Sequence, residues 1–333
     1  MPNCLIVFDM DGVIVDVSQS YREAVRRTAR LFFKGGHAFE NLPDPLFPLS
    51  DLAFIKQSGG LNNDWDLTFR VINLLFSLVE APSLANKNEP VDAHRNFVDH
   101  CGLDTLARFL KQNSQNPLAT LLEQHGHADD DRLAVFYQGD VGSGNIIKQI
   151  FQEIYLGHML FGQTYGIKPH FFTGAGLIER ESLFISAEVI EQLAAKNTLA
   201  IATGRPKVEA DYPLKQFGIG KYFDTVLTLD DCLKAEKKLA HYEGRPVSLS
   251  KPHPYMLDTI AAQISPPGAL LFFIGDMPDD MQAAARSKSA FKGIGVVFSA
   301  PDKKSLSFRL ADAGAYRVVD NVKRLLEVLE SPQ

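Results

Sequence analysis

The sequence has few cysteines, a single tryptophan and no long apolar run. Cys4, Cys101 and Cys232 are the three cysteines among 333 residues, and they lie far apart without a CxxC pair. This pattern argues against a disulfide framework or a cysteine zinc site and favours a reducing compartment. No apolar run reaches the roughly 18 residues that span a bilayer, and no basic flank marks a secretory signal. We therefore expect a cytoplasmic protein with no membrane partner.

The sequence also lacks an excess of positive charge. It has 34 lysines and arginines against 40 acidic residues, a formal net charge of -6, and no block of basic residues stands out. Nothing in this balance favours a nucleic-acid partner. Hydrophobic residues make up 45% of the chain and charged residues 22%, so a sizeable core can be buried. At about 150 residues per domain, the length suits two domains.

Short apolar runs alternate with helical patterns in the C-terminal part of the chain. CLIVF near the start resembles these later runs, which are TLAIA, TVLTL, ALLFFIG, FKGIGVVF and YRVV. Runs that are apolar throughout and separated by helices predict parallel strands covered on both faces. The first strand then belongs to the same sheet as the later ones. We predict a core formed by 1–16 and 185–333, with 17–184 inserted as a cap.

Helical spacing of apolar residues dominates the inserted segment. It predicts helices over 20–33 and 64–80, short helices within 97–112, and a helix from 146 that ends at Gly157 or Gly162. The stretch 81–144 is more polar than its flanks, and its loops separate short helices. The insertion is therefore expected to be mostly α-helical.

Four segments near predicted strand ends carry polar residues of the kinds that reactions use. They contain Asp9 with Asp11; Thr203, Gly204 and Arg205; Lys251; and Asp276 with Asp279 and Asp280. Each segment also has a structural interpretation: a turn, a glycine turn before a helix, a surface lysine, and a strand exit with a helix cap. Reactive groups gather at the carboxyl ends of strands in open α/β sheets. The four segments together therefore favour a reaction centre.

The same four segments resemble the motifs of the haloacid dehalogenase (HAD) superfamily of phosphohydrolases. FDMDGVIVD, IATGRP, KPHP and IGDMPDD match the superfamily patterns over about 3–16 and 185–300, and the insertion resembles the helical cap that subfamily I members carry after the first motif. The resemblance implies an α/β protein. Its expected architecture is a Rossmann-like HAD core with a parallel sheet covered by helices, plus a large, mostly α-helical cap domain.

The resemblance also implies roles for individual residues. Asp9 would attack phosphorus and form an aspartyl-phosphate, and Asp11 would protonate the leaving group and then activate water. Lys251 would offset the charge of Asp9 and hold phosphate. The phosphate-binding residues implied are Thr203, Gly204 and Arg205, the last of which either places phosphate or faces solvent. The metal ligands implied are Asp9, the Asp11 backbone carbonyl, Asp276 and Asp280, with Asp279 as a neighbour; such hard oxygen donors suit Mg²⁺.

A Mg²⁺-dependent phosphatase of a small phosphorylated metabolite, a phosphomonoester, is the function that the resemblance favours. The dehalogenases of the superfamily lack the second aspartate and use no metal, whereas this chain has both Asp11 and Asp276. Two alternatives stay open: a phosphomutase that uses the same intermediate, and a non-catalytic module that binds a phosphorylated metabolite. The sequence identifies neither the substrate nor the oligomeric state.

The segment KQSGGLNNDW is the most distinctive part of the insertion. One interpretation is a glycine hinge followed by an asparagine helix cap. The other is a cap loop that selects the leaving group, in which Gly60, Asn62 and Asn63 contact substrate alongside Gly59. Trp65 follows directly, and we interpret it as a packed anchor.

Overall fold

A computed structural model describes residues 4–57, 63–83, 89–126, 130–243, 246–300 and 302–330. The chain divides into two compact units. The core unit is Met1–Val17 with Glu181–Gln333, and the cap unit is Ser18–Arg180. The second junction falls before Glu181 and not before residue 185, because Ser182 and Leu183 pair with Asp16 and Val15 in an antiparallel ribbon of the core unit.

The core unit contains a parallel sheet whose strand order is β5-β4-β1-β6-β7-β8. The strands are β1 (Leu5–Phe8), β2 (Val15–Asp16), β3 (Ser182–Leu183), β4 (Thr198–Ala202), β5 (Thr225–Leu227), β6 (Leu271–Gly275), β7 (Lys292–Val296) and β8 (Arg317–Val319). All neighbouring pairs in the large sheet are parallel, and β2 pairs with β3 in the separate ribbon. The predicted fold class, a Rossmann-like core with a helical cap, is confirmed.

The cap unit is built from helices, and further helices cover the core sheet. The cap helices are α1 (Tyr21–Phe32), α2 (Leu49–Gln57), α3 (Asp64–Phe76), α4 (Pro90–Asp99), α5 (Asp104–Gln112), α6 (Pro117–His125), α7 (Asp131–Ala134) and α8 (Ile146–Tyr165). The core helices are α9 (Ala187–Ala194), α10 (Lys207–Gln216), α11 (Leu229–Glu243), α12 (Tyr255–Ile264), α13 (Pro278–Arg286), α14 (Lys303–Asp312) and α15 (Val322–Glu330).

Alternate residues of β1 pack into opposite hydrophobic layers of the core unit. Ile6 and Phe8 join the layer on one face of the sheet, and Leu5 and Val7 join the layer on the other. All four side chains are at most 1% exposed. This double burial explains why the strand is apolar throughout and places it at the centre of the sheet.

Of the two ends predicted for α8, Gly162 is wrong and Gly157 is confirmed in part, because two helical segments meet at a kink at Gly157. Its φ is +72°, and the helix continues to Tyr165 before Gly166 ends it at φ +70°. A Cβ on Gly157 would lie 2.3 Å from the backbone nitrogen of Gly176. Gly157 therefore serves a close backbone approach, which continues as a bridge to Ala175. Among the described residues, no helix has the length and apolar character needed to cross a membrane.

His94 is buried in an aromatic cluster of the cap unit. It packs against Phe32, Phe136 and Phe171, and its Nε2 lies 3.0 Å from the backbone oxygen of Phe32. Burial is the main cause that lowers its pKa to about 4; the charge of Arg95 adds to this, and the bond to Phe32 opposes it. The cap unit therefore buries a neutral imidazole.

Acidification should destabilise the protein through His94. The pKa of His94 is lower in the folded protein than the value of about 6.5 in the unfolded chain. The contribution of His94 to the free energy of unfolding is therefore fully present above about pH 6.5 and is lost as the pH falls towards about 4. Between pH 7 and pH 5 we expect a loss of about 2 kcal/mol from this residue. Urea unfolding at both pH values checks it. The His94→Gln variant keeps a donor for the Phe32 carbonyl and should show a smaller loss; an equal loss in both proteins would contradict the assignment.

Candidate active site

The strand order brings three of the predicted segments to one edge of the sheet. Asp9 directly follows β1, Thr203 follows β4 and Asp276 follows β6. Because β1 lies between β4 and β6 and all three run parallel, their carboxyl ends are adjacent. The backbone N–H of Asp9 donates to the carbonyl of Ile274 at 2.8 Å, which fixes the exit of β1 against β6.

Three carboxylates meet at this edge and form what we call the acidic cluster: Asp9, Asp276 and Asp280. One carboxylate oxygen from each residue lies within 4.8 Å of the other two. Asp280 is 1% exposed and sits in the first turn of α13, where its Oδ2 accepts the Met277 N–H at 2.9 Å. A helix N-terminus favours a negative charge at this position.

Two glycines leave the space that the acidic cluster occupies. A Cβ on Gly12 would lie 2.2 Å from Oδ2 of Asp276, and the φ of Gly12 is +71°. A Cβ on Gly275 would lie 2.3 Å from the Cβ of Asp280. Side chains at either position would displace a carboxylate, so glycine is part of the construction of the site.

Lys251 supplies positive charge to the acidic cluster. Its Nζ lies 2.9 Å from Oδ1 of Asp9 and 2.7 Å from Oδ1 of Asp280. Burial lowers the pKa of Lys251, but the adjacent carboxylates of Asp280 and Asp9 outweigh burial and raise it above the usual range. The lysine is therefore ammonium, and it bridges the residue after β1 to the first turn of α13.

The acidic cluster retains an excess of negative charge. Burial raises the pKa of Asp9, the charges of Asp280 and Asp11 raise it further, and Lys251 opposes both effects. Three carboxylates face one ammonium group, and their oxygens are close enough to share an ion. Hard oxygen donors with surplus negative charge fit a divalent cation such as Mg²⁺. Burial and the charge of Asp280 also raise the pKa of the neighbouring Asp279.

Arg205 is buried and engaged within the core unit. Its guanidinium side chain is 1% exposed, and it pairs with Asp11 and with Glu181. Its Nη1 also donates to the backbone carbonyl of Glu209 at 3.0 Å. The solvent-facing alternative for Arg205 is thus wrong, because the side chain lies inside the protein. Its predicted role as a phosphate ligand stays a prediction.

The other predicted phosphate-binding residues occupy the turn after β4. Thr203 is fully buried, and its Oγ1 accepts the backbone N–H of Arg205 at 3.2 Å. Gly204 is exposed, and a Cβ there would meet nothing within 4 Å, so sterics do not require glycine at this position. Their contacts with phosphate stay predictions.

The predicted cap-loop contacts fall partly outside the described residues, which include neither Gly60 nor Asn62. Asn63 is described, and it caps α3: its Oδ1 accepts the Asp66 N–H at 2.7 Å. Trp65 packs under a cation, since Nζ of Lys148 lies 4.1 Å from its ring centroid. The structure thus gives Asn63 a helix-capping contact, and a substrate contact for it stays a prediction.

Sequence reasoning missed Glu181, which accepts hydrogen bonds from both terminal nitrogens of Arg205. Nη1 lies 3.0 Å from Oε2 and Nη2 lies 3.2 Å from Oε1, and the Glu181 carboxylate is fully buried. Its only signal in the sequence is an acidic residue next to the predicted end of the insertion. That position alone does not distinguish it from a surface glutamate.

A parallel sheet with aspartates and a partly buried lysine at its carboxyl edge, interrupted by a helical cap, is the arrangement of a hydrolase of the HAD type. A family model described as haloacid dehalogenase-like hydrolase matches residues 5–288. The chain belongs to this family, and the predicted resemblance is confirmed.

Two of the solved structures that share the fold match nearly the whole chain. A structural genomics target solved by X-ray crystallography is 22% identical with a TM-score of 0.62, and the match covers 99% of this chain and 98% of that one. Phosphatase Tt82 from Thermococcus thioreducens is 19% identical with a TM-score of 0.52, covering 92% of this chain and 99% of that one. At these identities the likeness shows the fold alone.

One curated relative matches part of the chain. Imidazoleglycerol-phosphate dehydratase of Phytophthora nicotianae is 36% identical over 106 residues, which is 30% of this chain and 21% of the relative. The chain thus spans about a fifth of the length of that relative.

Proposed function

We propose that this protein is a Mg²⁺-dependent phosphatase that hydrolyses a small phosphorylated metabolite through an aspartyl-phosphate. One observation carries the proposal: Asp9 lies together with Asp276, Asp280 and the partly buried Lys251 at the carboxyl edge of the sheet. A nucleophilic carboxylate, cation ligands and a fixed ammonium group are the parts that phosphoryl transfer needs. The solved phosphatase that shares the fold is consistent with this function.

In the first proposed step, a carboxylate oxygen of Asp9 attacks phosphorus. The new bond joins Asp9 to phosphorus, and the bond between phosphorus and the ester oxygen breaks. Asp11 gives its proton to that oxygen, so the alcohol leaves neutral. Lys251 stays beside Asp9 and offsets negative charge on the phosphoryl oxygens.

In the second proposed step, Asp11 takes a proton from water as that water attacks phosphorus. The bond between Asp9 and phosphorus breaks, and inorganic phosphate and the free Asp9 carboxylate result. Asp11 loses a proton in the first step and regains one in the second, so the enzyme returns to its starting state.

The acidic cluster would hold Mg²⁺ through Asp9, Asp276 and Asp280. When bound, the cation neutralises the repulsion between these carboxylates and a phosphate dianion. Asp280 is already fixed by the Met277 N–H and Lys251, and Gly12 leaves room for Asp276. The backbone carbonyl of Asp11 is the further predicted ligand.

The test is phosphate release from a panel of phosphorylated metabolites, with Mg²⁺ and with EDTA. The name of the Phytophthora relative makes imidazoleglycerol phosphate a rational member of the panel. Metal-dependent release would support the phosphatase. Transfer of the phosphoryl group within the substrate, without release, would instead identify a phosphomutase. Binding of a phosphate analogue without any turnover would identify a binding module.

Removal of Asp276 should weaken the metal dependence and the activity together. We expect Asp276→Ala to raise the Mg²⁺ concentration for half-maximal phosphate release by about 10-fold or more, because one of three carboxylates is lost. The thermal shift that Mg²⁺ produces should shrink in parallel. Asp302→Ala, which removes a carboxylate that caps α14, is the matched control. An unchanged Mg²⁺ titration would remove Asp276 from the ligand set.

A further inference from the structure

In the part of the chain that the structure describes, Asp11, the predicted acid and base, is held through one of its two carboxylate oxygens. Nε of Arg205 lies 2.7 Å and Nη2 lies 2.5 Å from the same oxygen, Oδ1 of Asp11. Among the described residues, none donates a hydrogen bond to Oδ2. The Asp11 side chain is 34% exposed, whereas that of Arg205 is 1% exposed. The arrangement fixes one carboxylate oxygen and leaves the other open to exchange a proton.

Arg205 is itself held in place by three groups. Both oxygens of Glu181 accept from its terminal nitrogens, the Glu209 carbonyl accepts from Nη1, and Thr203 Oγ1 accepts its backbone N–H. A guanidinium bound by two oxygens of one carboxylate has a fixed plane. Glu181 also balances its charge, so the pair presents oriented donors to Asp11 without a net positive charge.

We propose that Arg205 and Glu181 act as a positioning pair, which we call the clamp, and that they orient the Asp11 carboxylate for proton transfer. This inference rests on the proposed function. It assigns Arg205 a role other than binding phosphate. General acid–base catalysis depends on a proton donor within about 3 Å of its target, so a rotated Asp11 loses rate while substrate binding is retained.

The first test measures how the clamp depends on Asp11. We expect Glu181→Gln and Arg205→Lys to lower kcat by about 10- to 100-fold with KM nearly unchanged, as for partial loss of an acid–base group. In an Asp11→Asn background the same substitutions should change kcat by less than about 2-fold, because residues that act through one group are not additive. Asp258→Asn, a core carboxylate that binds Ser287 and Lys288, is the control.

Two results would overturn the clamp. Equal losses of kcat with and without Asp11 would show that Arg205 and Glu181 act independently of it. A rise in KM with kcat retained would return Arg205 to the role of a phosphate ligand. Because one unpaired buried charge could prevent folding, the paired variant Glu181→Gln with Arg205→Met is tested as well, with circular dichroism on every protein.

A second measurement does not depend on turnover. High-resolution crystal structures of the wild type and of Glu181→Gln show whether Asp11 keeps one side-chain rotamer. A single rotamer in the wild type and several in the variant support the clamp. One shared rotamer overturns it, whether or not the wild type releases phosphate. Absence of phosphate release from the wild type would count against the proposed function and leave this structural test in force.

Discussion

Replacement of Asp9 by asparagine is expected to lower phosphate release by at least about 1,000-fold, since the variant lacks the carboxylate that we propose as the nucleophile. The fold should survive the change. Asparagine has nearly the same volume, and Lys251 keeps its ion pair with Asp280 at 2.7 Å. The measurement is phosphate release together with the thermal unfolding temperature.

The control for this prediction is the same chemical change at another carboxylate of the core unit. Asp258 accepts hydrogen bonds from Ser287 and Lys288 and lies outside the acidic cluster. Asp258→Asn should keep phosphate release within about 2-fold, since the hydrogen bonds of this half-buried carboxylate contribute to stability and not to the chemistry of the acidic cluster. Release by Asp9→Asn at the wild-type rate would show that Asp9 is not the nucleophile.

Replacement of Lys251 by methionine is expected to cost stability as well as activity. Asp9 is 6% exposed and Asp280 is 1% exposed, so the variant leaves two buried carboxylates without their shared ammonium group. Breaking a buried ion pair from one side typically lowers the free energy of unfolding by about 3–5 kcal/mol. Phosphate release should fall by about 100-fold or more, as when one preorganised charge is removed from a transition state.

The stability loss in Lys251→Met should depend on the cation. In the proposed site Mg²⁺ would neutralise the same carboxylates, so the loss measured by urea unfolding should be larger in EDTA than in excess Mg²⁺. Lys207→Met removes an exposed pair with Asp211 and should change the free energy of unfolding by less than about 1 kcal/mol in either condition. If Lys251→Met had the same free energy of unfolding as the wild type in EDTA, Lys251 would not be the residue that offsets the negative charge of the acidic cluster.

Much of the candidate site could be predicted because several of its residues directly follow β-strands in the sequence. Asp9, Thr203 and Asp276 each follow an apolar run, and parallel strands bring such positions to one edge of a sheet. The contacts of Lys251 and Arg205 could not be predicted in the same way. Both residues lie in loops or turns whose path depends on tertiary packing. No local sequence pattern therefore predicts the ion pair of Lys251 with Asp280 or that of Arg205 with Glu181.

In the cap unit, the presence of helices could be predicted from the sequence, but their ends could not. Apolar spacing predicted that helices fill it, but helix ends depend on what packs against them. Gly157 ends one helical segment, as the sequence predicts, but a second segment continues from this kink to Tyr165, and Gly176 closely approaches the Gly157 backbone. The helix predicted over 64–80 ends at Phe76, where Ser77 donates its hydroxyl to the Leu74 carbonyl. These differences arise from contacts that no single segment encodes.

The interrupted core has a consequence for how the protein is made. β1 leaves the ribosome before its neighbours in the sheet, which are residues 198–201 and 271–274. At about 5–20 residues per second, the first of these follows roughly 10–40 s later. The cap unit is continuous from Ser18 to Arg180 and can bury its own side chains during that interval. During synthesis the cap can therefore fold while β1 is still unpaired, and the edge of the sheet that carries Asp9 and Asp276 is completed only after the whole cap has been made.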